Sequence, residues 1–249
     1  MSVFAFLGWT WLGASLAEDR IPVKANVPAT VIAGVQSTVI VAKNVPDARD
    51  SYKPLRKIAL TFDAGASGAA GMQILKTLKA RDLICTFFLT GLFAKKNPDI
   101  VRAIVADGHE LGNHTMNHPD LRFSGNQRVV QELQNAENEI KRISGVSTHP
   151  YFRPPYGARN TRVIKIAASA GYDCVYWTSG GEDGGRYWHR LSGESIRRQV
   201  LRQTKPGGVI LLHMGNQRTA NILPKLLDDL ASRGYTLVPV SELGSPLPH

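Results

Sequence analysis

Gly108-His-Glu-Leu-Gly-Asn-His-Thr-Met-Asn-His118 closes a helical run at its glycine, passes through a short apolar-polar strand and ends on two histidines. If the end of the stretch makes a helical turn, positions i and i+4 share a face, and the imidazoles of His114 and His118 converge on one divalent cation. An H-x-x-x-H pair standing alone is structural more often than it is a metal site. The rest of the chain decides between the two.

Working outward, the helix that Gly108 closes is opened by Asn97-Pro98, a cap residue followed by proline at the first turn, with Ile100, Val101, Ile104 and Val105 facing inward. Before it, Lys57–Phe62 reads as a buried strand ending in Asp63-Ala-Gly65. A helix with Met72, Ile74, Leu75 and Leu78 on its apolar side follows, then a strand over Leu83–Leu89. After it come a long helix over Asn126–Ser144, a strand end at Tyr151-Phe-Arg-Pro-Pro-Tyr-Gly157 and a helix over Thr161–Ala170. The pattern continues with a strand over Asp173–Thr178, a helix over Ser192–Gln203, a strand over Val209–His213, a helix over Thr219–Arg233 and a strand over Thr236–Val240. Strand and helix alternating this often predict an α/β fold of parallel strands wrapped by helices, open or closed into a barrel. Functional side chains of such folds gather at the C-terminal strand ends, where Asp63, His114, Arg153 and His213 fall.

A chain of 249 residues with 43% hydrophobic and 20% charged residues has enough apolar content for one sizeable core. Its net charge of +10 is spread along the chain, with no basic run interleaved with aromatics, which argues against a nucleic-acid partner. Residues 1–17 read as a secretory signal peptide, with Ser15-Leu-Ala17 as the cleavage site, although no Lys or Arg precedes the apolar run. The run is short for a membrane span, so the expectation is export to the periplasm, cell envelope or medium without a lasting membrane anchor. Residues 18–54, rich in Val, Ala, Pro and Asn, read as an arm or linker. Cys85 and Cys174 are a disulfide in an oxidising compartment or two separate thiols, and the sequence leaves both open. Nothing in it fixes an oligomeric state.

Four motifs in order, Thr61-Phe-Asp-Ala-Gly65, His114-Thr-Met-Asn-His118, Arg153-Pro-Pro-Tyr-Gly157 and Leu211-Leu-His213, resemble the series of the NodB-homology polysaccharide deacetylases, carbohydrate esterase family 4. Thr86-Phe-Phe88 and Gly108–His114 are similar to the connecting text, and the resemblance spans residues 55–243. It implies a distorted (β/α) barrel of the NodB-homology type and a metal-dependent hydrolase removing N-acetyl groups from a polysaccharide such as peptidoglycan or a chitin-like polymer. By that resemblance Asp63 is the general base and Arg153 holds it. Tyr156 offers a backbone N–H to the oxyanion and contacts the sugar, and His213 is the general acid. His114 and His118 bind a divalent metal, Zn²⁺ in the first place, and Trp177 and Asp183 complete the substrate site. Amide hydrolysis needs these parts: an activated water, oxyanion donors and a proton for the leaving amine.

Two stretches depart from the family pattern. The second of its paired aspartates, a metal ligand, is here Ala64, so the ion would rest on two imidazoles, with Asn113 or Asn117 as helpers at most. After Trp177 the pattern's first aspartate is Gly180, its second is Asp183, and the aromatic that follows is Gly184; Glu182 or Asp183 would then serve the general acid. Tyr187 and Trp188 are suited to stack on sugar rings or to cover the barrel rim. His109, His149 and His189 are expected to have solvent or backbone partners. The departures keep two other readings open: a non-catalytic carbohydrate-binding relative, and a C–N hydrolase for a smaller amide with weak or no metal dependence.

Overall fold

A computed structural model describes residues 56–65, 67–184 and 190–244. The expected signal peptide, the arm and the aromatic pair Tyr187 and Trp188, with His189, lie outside the described residues. The chain divides into Met1–Ser51 and Tyr52–His249, and only the second unit contains described residues.

Its frame is β1, Arg56–Ala64, nine residues long and buried over its last seven. The elements follow in the order α1 (Gly71–Lys79), β2 (Thr86–Leu89), α2 (Gly91–Lys96), α3 (Pro98–Ala106), β3 (Glu110–Asn113), α4 (Asn126–Ser144), β4 (Tyr151–Phe152), α5 (Thr161–Ser169), β5 (Asp173–Cys174), β6 (Ser179–Gly180), α6 (Gly193–Gln203), β7 (Val209–His213), α7 (Gln217–Ser232) and β8 (Tyr235–Val238). All strand pairings are parallel, in the order β5-β4-β3-β2-β1-β7-β6, with β8 on the first half of β1. The sheet curls because its two edge strands, β5 and β6, are joined by only Val175–Thr178: Val175 N–H reaches back to Phe152 O (2.8 Å), and Thr178 N–H already pairs with Val209 O (2.9 Å). The predicted strand over Asp173–Thr178 is therefore only β5 and the joining segment, and β6 starts just beyond it at Ser179.

Strand alternation divides the core. Ile58, Leu60 and Phe62 of β1 pack outward with Ile74, Leu75 and Leu78 of α1 and with Leu223, Leu226 and Leu230 of α7. Ala59 faces the other way, with Phe88, Val175 and Val209. Each such aliphatic side chain, fully buried, contributes about 1.5–3 kcal/mol of hydrophobic stabilisation. Helix starts follow capping chemistry: the side chains of Thr90, Asn160, Ser192 and Asn216 each accept a backbone N–H in the first turn of α2, α5, α6 and α7.

Met72, expected on the apolar side of α1, is exposed, because tertiary packing selects a narrower stripe than the apolar pattern suggests. Both cysteines are free thiols: Cys85 is buried ahead of β2 and Cys174 is in β5. No described helix is long and apolar enough to cross a membrane.

Candidate active site

The C-terminal ends of β1, β3, β4 and β7 open into one cavity of about 720 Å³ lined by Asp63, His114, His118, Tyr156, Trp177, Asp183 and His213, among others. Asp63 and His213 are register partners on neighbouring strands, and Met214 N–H donates to Asp63 O at 3.0 Å.

Arg153 follows directly after β4 and is wholly buried. Its Nη1 donates to Asp63 Oδ1 (2.7 Å) and Thr61 Oγ1 (2.9 Å), and its Nε donates to Val175 O (3.2 Å). The guanidinium lies 4.0 Å from the Phe88 ring centroid. Burial alone would push the Asp63 carboxyl up. The charges of Arg153, His114 and His213, with the Arg153 hydrogen bond, more than reverse this and hold it below the usual 3.8. Asp63 is thus an ionised, positioned proton acceptor.

His213 carries the opposite bias. Asp183 Oδ1 lies 2.8 Å from His213 Nδ1, Asp183 Oδ2 accepts the His213 backbone N–H at 2.8 Å, and Thr219 Oγ1 donates to the same oxygen at 2.7 Å. Burial disfavours the imidazolium, but the Asp183 bond and charge outweigh it and raise the His213 pKa above 6.5. Of the two acids left open by the sequence, Asp183 is the partner of His213. Its oxygens are engaged by His213 and Thr219, and it also lines the cavity. The glycines beside it are required by close approach. A Cβ at Gly180 (φ +84°) would lie 2.2 Å from Leu211 O, and one at Gly184 would lie 2.2–2.4 Å from three atoms of the His213 ring. An aspartate at 180 or an aromatic at 184 does not fit this backbone.

The His114–His118 stretch is not the helical turn expected from its spacing. Thr115 and His118 have φ of +69° and +60°, left-handed values that hydrogen bonds must hold in place. The Thr115 N–H donates to Asn113 Oδ1 (2.8 Å), and the His118 N–H donates to Thr115 Oγ1 (3.0 Å). The rings still meet, 4.8 Å apart edge to face, and the exposed Tyr156 ring stands 4.6 Å from that of His118. Tyr156 also has positive φ, +61°, in the turn after Pro154-Pro155, while Gly157 leaves room for the Trp177 ring.

The donor set fits a divalent cation, though incompletely. His114 Nδ1 lies 2.7 Å from Arg153 O, so its N–H points there and the Nε2 lone pair faces the cavity. That Nε2 stands 3.5 Å from Asp63 Oδ2, a lone pair opposite a carboxylate, which a positive charge between them would relieve. Burial pushes His114 down; burial and the neighbouring His114 bring His118 to about 4, so both rings are neutral at pH 7, the form in which an imidazole can bind a cation. Among the described residues no group of three His, Cys, Asp or Glu is arranged to hold an ion, and Ala64 offers only a buried methyl. Asn113 is turned to other work, its Nδ2 donating to Leu133 O and Tyr172 Oη and its Oδ1 accepting the Thr115 N–H, while Asn117 Nδ2 donates to Glu132 Oε1. His109 and His149 have the backbone partners expected, Cys85 N–H and Ala170 O. Sequence reasoning missed Glu132, Asn216 and Thr219, polar residues in the apolar patterns or ordinary caps that gave no motif signal, and quoted Thr61 in a motif without assigning it a role.

Comparison with known proteins agrees with the arrangement. The family profile described as polysaccharide deacetylase matches residues 50–175. A peptidoglycan-N-acetylglucosamine deacetylase of Bacillus cereus is 35% identical over 75% of this chain and 87% of its own length. A peptidoglycan-N-acetylmuramic acid deacetylase of Bacillus subtilis is 30% identical over 76% and 71%. Among solved structures, a carbohydrate esterase family 4 pseudoenzyme from Bacillus anthracis superposes with a TM-score of 0.72 at 26% identity, covering 79% of this chain and 68% of its own. With its parallel strands curled into a distorted barrel and its motifs around one cavity, the chain belongs to the polysaccharide deacetylase family of hydrolases.

Proposed function

We propose that this protein is exported and hydrolyses the N-acetyl group of amino sugars in an envelope polysaccharide such as peptidoglycan, with a divalent cation, Zn²⁺ foremost, held by His114 and His118. The carrying observation is the opposed bias of two neighbours. Asp63 is biased toward its ionised form and His213 toward its protonated form, at register positions on β1 and β7 that open into one cavity. A base and an acid whose environments push their pKa values apart are what amide hydrolysis requires.

In this reading Asp63 takes a proton from the attacking water while Arg153 keeps the carboxylate in place. A divalent ion on the two imidazoles supplies Lewis acidity toward the acyl carbonyl and acidifies water. The Tyr156 N–H, presented by the turn after Pro155, faces the developing oxyanion, where a proline could not donate. The imidazolium of His213, steadied by Asp183, protonates the departing amine. Trp177 and Tyr156 offer apolar faces to the sugar.

Ala64 favours a second reading, a glycan-binding relative without turnover, in keeping with the likeness to a pseudoenzyme. Acetate release from peptidoglycan and chitin oligomers, with added Zn²⁺ and after chelation, separates the readings. Metal-dependent release supports the first. Binding without release supports the second. Turnover of smaller amides that survives chelation points instead to a C–N hydrolase with little need of metal.

A further inference from the structure

We propose that Glu132 is a positioning residue for the metal-binding imidazoles, a buried anion that holds the 114–118 loop in its left-handed form. The inference rests on the reading of His114 and His118 as ligands.

Glu132 lies in the middle of α4, and its side chain is 1% exposed. A carboxylate that deep needs partners, and three are present. Oε2 accepts the backbone N–H of Asn117 (2.8 Å), Oε1 accepts Asn117 Nδ2 (3.0 Å), and Arg128 Nη2, one turn earlier on the helix, lies 2.5 Å from Oε1. Asn117 is the residue before His118. Its backbone is therefore fixed between Thr115 and His118, the two residues of this loop held at positive φ. The other end of the loop is held by Asn113, and its outer side by β2–α2: the Gly91 and Leu92 N–H groups donate to the Thr115 and Met116 carbonyls, each at 3.0 Å.

Among these restraints Glu132 is the buried charge. Hydrogen bonds to an ionised acceptor are roughly twice as strong as neutral ones. The loop also lacks the usual alternative, a third protein ligand pulling the histidines together, because residue 64 is alanine. Preorganisation from behind then matters more to a site of two imidazoles than to a complete one.

The test uses the full chain, its Glu132→Ala and Glu132→Gln variants, and Ile140→Ala as a control that loosens α4 about two turns further along the helix from Glu132. Two quantities are read: Co²⁺ affinity by visible absorption, and the ring nitrogen resonances of His118 in the metal-free protein. Glu132→Ala is expected to weaken Co²⁺ binding about 10- to 100-fold, as loss of outer-shell partners does, and to shift or broaden the His118 resonances. Glu132→Gln, which keeps an acceptor oxygen for the Asn117 N–H, should recover part of both. Ile140→Ala should lower Tm and leave both in place. Unchanged His118 resonances in Glu132→Ala, or equal effects from Ile140→Ala, overturn the proposal. If the unaltered protein takes up no Co²⁺ at saturation, the metal reading fails, and the resonances alone decide the role of Glu132.

Discussion

Asp183 grips His213 twice, with Oδ1 at 2.8 Å from the ring Nδ1 and Oδ2 at 2.8 Å from the backbone nitrogen of the same residue. One carboxylate thus sets both the protonation of the imidazole and the position of the strand end that carries it. Asp183→Asn keeps an acceptor for one bond and loses the charge that raises the His213 pKa. The expected result is a kcat lower by about 10²–10³ and a basic limb of the pH–rate profile displaced to lower pH. Steady-state kinetics from pH 4 to 10 reads both, and a basic limb that stays in place would show that another group donates the proton.

Asp63 and His213 together define a pH window for the intact protein. The folded Asp63 pKa is depressed below 3.8, so its contribution to stability is present above that value and is lost as pH falls through the folded pKa. The folded His213 pKa is raised above 6.5, so its contribution is complete below 6.5 and is lost as pH rises through the folded value. Chemical denaturation of the metal-free chain across pH 3 to 9 should therefore find a stability plateau between the two, shortened on its alkaline side in Asp183→Asn.

Arg153→Met removes the cation and leaves Asp63 buried without its counter-charge. Loss of one partner of a buried ion pair costs about 3–5 kcal/mol, readable as a lower urea midpoint, and the Asp63 pKa should rise. Arg153→Lys should rescue little, because one ammonium cannot reproduce the separate bonds to Val175 O, Thr61 and Asp63. Full stability of the lysine variant would count against the fork as the cause.

Asp63→Asn should abolish measurable acetate release while leaving zinc content, read by atomic absorption, unchanged. Retained turnover would remove Asp63 as the base.

Ala64→Asp returns a carboxylate to the end of β1 next to Asp63 and is expected to tighten Zn²⁺ binding by at least about tenfold in a chelator competition. Unmoved affinity would show that residue 64 does not face the ion.

Much of this architecture was legible in the chain. The limits of α4 and β7 coincide with their apolar periodicity and terminal glycines, because local pattern and burial agree there. The four strand-end side chains Asp63, His114, Arg153 and His213 also came from order and spacing. The His114–His118 conformation did not, since its left-handed residues are held by Asn113, Thr115 and Glu132, and one of those bonds comes from another helix. Helix α2 is six residues long, too short for a periodicity to register. The partner of His213 was ambiguous between neighbouring acids because the loop path, which the glycines permit, depends on contacts with β7.

The four residues Val175–Thr178 that join one edge of the sheet to the other carry a consequence for assembly. Trp177 belongs to that join, Asp183 follows β6, and Arg153 reaches Val175 O where the join leaves the neighbouring strand β5. Contacts between distant parts of the chain form late in folding. A refolding chain should therefore regain its helical signal before it regains its proton donor, and catalytic competence would keep time with the shutting of the staves.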